Sequence, residues 1–179
     1  IDRAGNVGQD GETHHGIFDI SYLSHMPNLT IFAPRDGQEL AECLVKALSL
    51  PGPSAIRYPR GTASNVVLGN SKGKDLEIWA VGNMVSVANK ACSLLKERGI
   101  YASLVPVSQI KPLDQPELME RIGQVKHIVT LEDNTLLGGF GQMLCSVVAE
   151  RGIQDVRITT IGWPAKFIEH GSVDQLFEK

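Results

Sequence analysis

The chain has 179 residues, of which 42% are hydrophobic and 21% charged, and a formal net charge of −3 at neutral pH. This composition is ordinary for a globular chain with a buried core, and it excludes a general attraction to nucleic acid or to an anionic membrane. The apolar runs are far shorter than a membrane span, and no signal peptide is visible from Ile1 onward. We therefore expect no nucleic acid and no membrane among its partners.

The first half of the chain begins with a glycine-rich loop at 2–16. Ile1-Asp2-Arg3 is typical of the end of a buried strand, so we expect the chain to be the C-terminal part of a larger enzyme. Asp36 is the predicted N-cap of a helix, with Glu39 as its capping-box partner. The predicted elements are a short element from 18, a strand at 29–33, a helix from 36 to 50 and a strand at 54–58.

The second half follows a linker-like stretch at 63–75 and has a more regular pattern. Its predicted elements are strands at 77–81, 102–107, 127–131 and 156–161, and helices at 85–98, at 116–122 and after Gly138-Gly139-Phe140-Gly141. Strands that alternate with helices imply right-handed crossovers and a mostly parallel sheet flanked by helices. We therefore predict an α/β fold, with a partial α/β domain at 1–62 and a second α/β domain at 76–179.

The cysteines give no sign of a disulfide framework. Cys43, Cys92 and Cys145 lie far apart, each in an apolar pattern with helical spacing. This spacing favours reduced core residues over disulfides or metal ligands. We predict free, buried thiols in a protein of cytoplasmic type.

Three arginines are candidates for an anion site. Arginine presents a rigid fork of donors that matches the geometry of a phosphate group. Arg57 and Arg60 follow a short predicted strand, where α/β proteins place ligands, and Arg3 begins the glycine-rich loop. Surface ion pairs are the commoner role for such arginines, so the spacing alone leaves both interpretations open.

Asp10, His14 and His15 lie inside the glycine-rich loop. A histidine here is able to donate to a carbonyl or to move a proton near neutral pH, although a loop histidine with a purely structural hydrogen bond is commoner. The two histidine side chains are expected to diverge, and their spacing does not suit a metal. Asp10 is predicted either to accept a hydrogen bond from a sugar hydroxyl or to form a turn with Gly11.

The segment Gly138-Gly139-Phe140-Gly141 resembles a nucleotide-binding loop only superficially. It departs from the full GxGxxG pattern, and no phosphate-binding lysine follows it. We predict instead that its glycines let a helix pack closely on a strand. Glu132-Asp133-Asn134, just before it at the end of a strand, are expected to cap that helix or to contact another subunit.

The motifs are more specific together than any one of them is alone. The segments DRAG, DGETHHG, PNLTIFAP, GPSAIRYPRG, QIKPLD, LEDN, GGFG and IGWP occur in this order along the chain. In this combination the sequence resembles the 1-deoxy-D-xylulose-5-phosphate synthases, which are thiamine-diphosphate-dependent members of the transketolase family. The resemblance implies the later part of the pyrimidine-binding (middle) domain at 1–62, a linker at 63–75 and the transketolase C-terminal domain at 76–179.

The resemblance also implies an activity. Members condense pyruvate with glyceraldehyde 3-phosphate, release carbon dioxide and form 1-deoxy-D-xylulose 5-phosphate for isoprenoid, thiamine and pyridoxal synthesis. They use thiamine diphosphate and Mg²⁺, whose main binding groups are expected upstream of Ile1. Such proteins are homodimers of the bacterial cytoplasm or of plastids, and a fragment without those groups is expected to be inactive alone.

The resemblance assigns roles to individual residues. Arg3 and Arg60 match the positions that hold the phosphate of the aldehyde, and Arg57 is a further substrate contact. His14 matches the active-site histidine, which hydrogen-bonds the substrate or intermediate. Asp10 matches an acidic position near the hydroxyls of the acceptor, whereas His15 receives no role.

Two alternatives stay open at this point. The chain could instead come from another member of the family, such as a transketolase or the β subunit of a 2-oxo-acid dehydrogenase, or it could be a non-catalytic dimerisation module. The DRAG and RYPRG segments favour the synthase. Acceptance of pyruvate rather than a ketose phosphate as donor separates the synthase from transketolase.

Overall fold

Two β-sheets with helices around them form the framework of the computed structural model, which describes residues 1–63, 65–69, 73–113 and 115–178. The strands are β1 (Thr30–Phe32), β2 (Ser54–Ile56), β3 (Leu76–Val81), β4 (Ala102–Val107), β5 (Gln109–Lys111), β6 (His127–Thr135) and β7 (Arg157–Trp163). The helices are α1 (Asp19–Ser24), α2 (Gly37–Ser49), α3 (Met84–Glu97), α4 (Pro116–Ile122), α5 (Phe140–Glu150) and α6 (Val173–Phe177), and a 3-10 turn covers Gly8–Asp10. Residues 64 and 70–72 of the predicted linker, and residue 114 of the QIKPLD motif, lie outside the described residues.

The larger sheet has the strand order β4-β3-β6-β7, and all neighbouring strands in it are parallel. The side chains of β3 alternate between its two faces. Ile78 and Ala80 belong to the apolar cluster that includes the inner face of α3, whereas Trp79 and Val81 belong to the cluster that includes Phe140 of α5. Both faces of the sheet are therefore covered by helices, and the predicted α/β class with a parallel sheet is confirmed.

The smaller sheet, with the order β2-β1-β5, joins the two halves of the chain. β1 pairs with β2 in parallel and with β5 in the antiparallel sense, although β5 follows β4 in the second half. Ile31 of β1 and Ile110 of β5 are fully buried in the same cluster as Trp79. The two halves therefore share an apolar core, and their division at 63–75 stays a prediction.

The bounds of the predicted elements agree with the structure to different degrees. β4 and α4 begin and end at the residues predicted for them. β6 continues beyond the predicted end at Leu131 to Thr135. β5 and α6 were not predicted, because neither QIK nor VDQLF shows a mostly apolar run like the one at 29–33. Within the described ranges, no helix is long and apolar enough to cross a membrane.

Two local predictions need correction. Asp36 Oδ1 accepts the backbone N–H of Glu39 at 2.9 Å, which confirms the N-cap of α2. The reciprocal half of the capping box is wrong, because the Glu39 carboxylate accepts the N–H of Arg35 at 2.7 Å instead. All three cysteines are free thiols, but Cys145 lies on the exposed side of α5, whereas the other two are buried.

Candidate functional site

Two arginines, an aspartate and a histidine form a cluster at the surface, which we call the loop cluster: Arg3, Asp10, His14 and Arg60. Arg60 Nη1 donates to Asp10 Oδ2, and Arg3 Nε lies 3.8 Å from the same oxygen. The Arg60 side chain is 56% exposed, and His14 is exposed on the same loop as Asp10. The structure thus brings Arg60, which is 50 residues away from Asp10 in sequence, to Asp10 and Arg3.

The backbone explains how the two arginines meet. Residues 1–4 run beside the extension of β2, where the N–H of Tyr58 donates to Ile1 O and the N–H of Ala4 donates to Tyr58 O, both at 3.0 Å. Arg3 and Arg60 therefore leave neighbouring segments at the same end of the smaller sheet. The pairing is strand-like, but the predicted burial is wrong, because Ile1 is 45% exposed.

The loop between Gly5 and Gly16 is closed at its base. Gly5 and Gly16 exchange two backbone hydrogen bonds, of 3.0 and 2.9 Å. A Cβ atom on Gly16 would lie 2.1 Å from the carbonyl oxygen of Arg3, so only glycine fits there. Within the loop, the N–H groups of His14 and His15 both donate to Gly11 O. The loop is thus a compact, hydrogen-bonded unit that presents Asp10 and His14.

The charges of the loop cluster suit an anion that also carries hydroxyl groups. The hydrogen bond from Arg60 lowers the pKa of Asp10, and the charges of Arg60, His14 and Arg3 lower it further against the opposing effect of desolvation. Asp10 is therefore a carboxylate at neutral pH and pairs with Arg60, whereas Arg3 also pairs with the exposed Asp2, whose Oδ2 lies 3.3 Å from Arg3 Nη1. Guanidinium forks match a phosphate, and the carboxylate is an acceptor for hydroxyl protons.

Arg57 lies apart from the loop cluster, in the interior. Its side chain is 1% exposed, and its Nε donates to Asp19 Oδ1 at 2.8 Å. Its Nη2 donates to the carbonyl oxygens of Asp133 and Gly16, at 3.1 and 3.3 Å. This placement does not favour the direct substrate contact that we predicted for Arg57. The side chain ties the base of the loop to α1 and β6.

A second polar cluster, the LEDN segment at 131–134, lies at the carboxyl end of β6 and is buried. Asp133 Oδ1 accepts the N–H of Asn6 at 3.0 Å and the indole N–H of Trp163 at 2.7 Å, and its Oδ2 accepts from Asn83 at 2.8 Å. Asn134 Oδ1 accepts the N–H of Ile20 at 3.2 Å. Sequence reasoning missed Asp133 as a link between the loop and the larger sheet. The only sign of it in the sequence was its position just after the predicted strand at 127–131.

The helix cap that we predicted for this segment is confirmed. The carboxylate of Glu132 accepts the N–H groups of Phe140 and Gly141, at 2.8 and 2.9 Å, at the start of α5. The close packing predicted for the glycines is also confirmed, because a Cβ atom on Gly139 would lie 2.4 Å from Glu132 Oε2 and one on Gly141 would lie 2.5 Å from Thr160 Cγ2. The glycines of this segment are therefore explained by close packing at the start of α5.

The cap has a testable consequence for the pH dependence of stability. Burial raises the pKa of Glu132 from its ordinary 4.5 to about 7, against the effect of the two N–H donors. A raised pKa means that the folded state binds the proton more tightly, so the stability from this group is largest below pH 4.5 and is lost as the pH rises to about 7. We expect the free energy of unfolding of the chain, measured with urea, to fall by about 3 kcal/mol across this window.

Glu132→Gln is expected to remove most of the slope of the unfolding free energy against pH between pH 4.5 and 7, because a glutamine does not titrate. Glu117→Gln, which alters an exposed carboxylate on α4, is the matched control and is expected to keep the slope. An unchanged slope in Glu132→Gln would assign the pH dependence to other groups.

Two clefts lie at opposite ends of the larger sheet. One, of about 880 Å³, lies at the amino ends of β3 and β6 and includes Glu77 and His127 in its wall. The other, of about 1140 Å³, lies at the carboxyl ends of β6 and β7 and includes Glu132 and Trp163, with Glu12 of the loop at its edge. Open parallel sheets bind ligands at the carboxyl ends of their strands, so the second cleft is on the side of the candidate site.

The chain matches two protein-family models in succession. Residues 1–65 match the pyrimidine binding domain of transketolase, and residues 66–179 match the transketolase C-terminal domain. These two matches cover the whole chain, in the order that the resemblance implies.

The curated relatives include 1-deoxy-D-xylulose-5-phosphate synthases from bacteria. The protein of that name from Syntrophomonas wolfei is 44% identical and aligns with 100% of this chain, and the one from Clostridium tetani is 44% identical over 99% of it. Each alignment covers 30% of the relative. The chain thus spans less than a third of the length of the relatives that it matches.

Solved structures of transketolases have the same fold. A split-gene transketolase, described as an inactive β4 tetramer, superposes with a TM-score of 0.84 at 26% identity, over 99% of this chain and 59% of that chain. A transketolase variant from Pichia stipitis superposes with a TM-score of 0.76 at 18% identity, over 99% and 26% of the two chains. The second similarity, at this low identity, concerns the fold alone.

Proposed function

We propose that this chain, which belongs to the transketolase family through its pyrimidine-binding and C-terminal domains, is part of a 1-deoxy-D-xylulose-5-phosphate synthase. The complete enzyme would be a thiamine-diphosphate-dependent transferase that condenses pyruvate with glyceraldehyde 3-phosphate and releases carbon dioxide. Its product would supply isoprenoid, thiamine and pyridoxal synthesis. The observation that carries the proposal is the exposed loop cluster, whose charges suit a phosphorylated, hydroxylated aldehyde.

In this proposal Arg3 and Arg60 bind the phosphate of the aldehyde. The phosphate would replace Asp10 as the partner of Arg60, since a dianion is a stronger acceptor for a guanidinium fork than one carboxylate oxygen. Asp10, released from Arg60, would accept a hydrogen bond from a hydroxyl of the same substrate. Binding the substrate at its far end orients the aldehyde carbon for reaction.

His14 is the residue that we assign to the reacting atoms. Its ring is exposed, and its Nδ1 lies 2.8 Å from the hydroxyl oxygen of Thr13. This contact occupies Nδ1 and leaves Nε2 as the nitrogen that the proposal assigns to the substrate. His14 would donate a hydrogen bond, and then a proton, to the oxygen of the aldehyde as that oxygen gains negative charge.

The described residues offer no grouped ligands for the Mg²⁺ that accompanies thiamine diphosphate in the proposed enzyme. Among residues 1–63, 65–69, 73–113 and 115–178, no three His, Cys, Asp or Glu side chains are grouped so as to hold a metal ion. We therefore derive no step through the cofactor from this chain. The proposal assigns the cofactor groups to the part of the enzyme outside this chain. It also includes a homodimer, located in the bacterial cytoplasm or in the plastid of a eukaryote.

A second candidate function is that of an assembly module without activity of its own. The split-gene transketolase that superposes on this chain is described as an inactive β4 tetramer, so a related polypeptide without activity forms a defined assembly. The similarity to curated 1-deoxy-D-xylulose-5-phosphate synthases favours the synthase over a transketolase or a 2-oxo-acid dehydrogenase β subunit. In either case the 179-residue chain is expected to be inactive alone.

The phosphate role of Arg60 gives a test of the proposed substrate. In the full-length protein, Arg60→Ala is expected to raise the KM for glyceraldehyde 3-phosphate by about 10- to 100-fold, because a charge-assisted contact contributes about 1.5–3 kcal/mol. The KM for pyruvate is expected to stay within about twofold, since pyruvate carries no phosphate. Steady-state kinetics with each substrate varied in turn measures both values.

Arg121→Ala is the matched control for this variant. Arg121 is also a half-exposed arginine paired with a carboxylate, since its Nη1 lies 2.7 Å from Glu77 Oε1, but it lies at the opposite end of the larger sheet. The control is expected to leave both KM values unchanged. A KM for the aldehyde that stays at the wild-type value in Arg60→Ala would remove Arg60 from the substrate site.

A further inference from the structure

His15, the neighbour of His14, is buried and makes two hydrogen bonds in opposite directions. It is 8% exposed. Its Nδ1 accepts the backbone N–H of Val7 at 3.1 Å, and its Nε2 lies 3.3 Å from the carbonyl oxygen of Glu169. An amide N–H only donates and a carbonyl oxygen only accepts, so these partners require a lone pair on Nδ1 and a proton on Nε2. The ring is therefore the neutral Nε2–H tautomer.

The two partners of His15 belong to distant parts of the chain. Val7 lies on the first arm of the loop between Gly5 and Gly16, and Glu169 lies in the segment 168–173, which ends at the first residue of α6. One side chain thus ties both arms of the loop to the C-terminal part of the chain.

The segment 168–173 also contacts the loop at other points. Asn6 Nδ2 donates to Val173 O at 3.3 Å, and a Cβ atom on Gly11 would lie 3.3 Å from His170 Cβ. Ile168 packs with Ile17 in a separate apolar cluster. The loop therefore packs on this segment along its length. Of these contacts, those of His15 lie nearest in sequence to His14.

We propose that His15 is a positioning residue, which holds the loop on the segment 168–173 and thereby sets the positions of His14 and Asp10. This inference rests on the proposed function of the loop cluster. It adds that the geometry of the substrate site depends on the C-terminal domain through one neutral histidine. His15 does not itself contact the substrate, because both ring nitrogens bond to backbone groups in the interior.

Three replacements in the full-length protein separate the two bonds of His15. His15→Phe keeps the ring volume and removes both bonds. His15→Asn places an amide oxygen near the position of Nδ1, and His15→Gln places an amide nitrogen near that of Nε2, so each keeps one bond. We expect kcat to fall by about 10- to 100-fold in His15→Phe, as for a small misplacement of a reacting group, and by less in the other two.

A double-mutant cycle with His14→Ala distinguishes positioning from general destabilisation. If His15 acts through His14, His15→Phe is expected to lower kcat by less than about threefold in the His14→Ala background. An equal loss in both backgrounds would overturn the proposal, as would a wild-type kcat in His15→Phe. If His15→Phe does not fold, His15→Asn and His15→Gln are compared in the same two backgrounds.

The tautomer is measured independently of activity. In the full-length protein with ¹⁵N-labelled histidine, the His15 signals, assigned by their loss in His15→Gln, are expected to show a protonated Nε2 and an unprotonated Nδ1. The opposite tautomer or a charged ring would overturn the two bonds on which the inference stands. A protein that shows the expected tautomer but makes no product would instead contradict the proposed function.

Discussion

His14→Ala in the full-length protein is expected to lower kcat by about 100- to 1000-fold, the range found when a general acid or an oxyanion donor is removed. The reason is that His14 is the exposed imidazole of the loop cluster, beside the groups that we assign to the aldehyde. The affinity for thiamine diphosphate is expected to change by less than about threefold, because the histidine acts on the substrate oxygen. Single-turnover formation of the product and titration of the cofactor measure the two quantities.

His127→Ala is the control for this prediction. His127 is another exposed histidine, but it lies at the amino end of β6, in the wall of the cleft at the opposite end of the sheet. Its replacement is expected to leave kcat unchanged. Normal turnover in His14→Ala, or a loss of the same size in the control, would remove His14 from the reacting centre.

Arg57→Leu is expected to destabilise the 179-residue chain by about 3–5 kcal/mol at neutral pH, because it leaves a buried carboxylate without its partner. Asp19 and Arg57 are each 1% exposed, and the second carboxylate oxygen of Asp19 is buried without a hydrogen bond. Burial already raises the pKa of Asp19 even though the charge of Arg57 lowers it. Urea unfolding of the chain measures the loss.

The size of this loss depends on pH in a defined direction. Without Arg57, the folded state binds a proton on Asp19 more tightly, so the loss is expected to be smaller below the ordinary pKa of 3.8 and to grow as the pH rises. Because proton uptake by Asp19 relieves the buried charge, the difference in stability between the variant and the wild-type chain is expected to be smallest under acidic conditions.

Two controls test whether the effect comes from the buried charge. The double variant Arg57→Leu with Asp19→Leu removes both charges and is expected to recover a large part of the loss. Arg121→Leu breaks an ion pair whose arginine is 49% exposed and is expected to cost less than about 1 kcal/mol. A small loss in Arg57→Leu, equal to that in Arg121→Leu, would mean that the Asp19 and Arg57 pair does not hold the base of the loop.

The sequence predicted the larger sheet because its strands and helices are long enough to show their periods. β3, β4 and β6 are mostly apolar at 78–81, 104–107 and 128–131, and α3 and α5 carry apolar residues at helical spacing, so the alternation was readable without a structure. β5 could not be predicted, because the three residues from Gln109 to Lys111 form a strand only through pairing with β1, far away in sequence.

The candidate site shows the same limit at the level of single residues. The residue types in the loop indicated an anion site, and the structure brings Arg3 and Arg60 to Asp10. The burial of Arg57 could not be predicted, because it depends on Asp19, which is 38 residues away in sequence, and on two backbone carbonyls. The same holds for His15, whose partner Glu169 is 154 residues away.

The most direct test of the proposed function is a product assay on the full-length protein with thiamine diphosphate and Mg²⁺. Pyruvate is supplied with and without glyceraldehyde 3-phosphate, and carbon dioxide and the five-carbon product are followed. We predict that 1-deoxy-D-xylulose 5-phosphate forms only when both substrates are present. Activity with a ketose phosphate donor and no turnover of pyruvate would contradict the proposal and identify the protein as a transketolase.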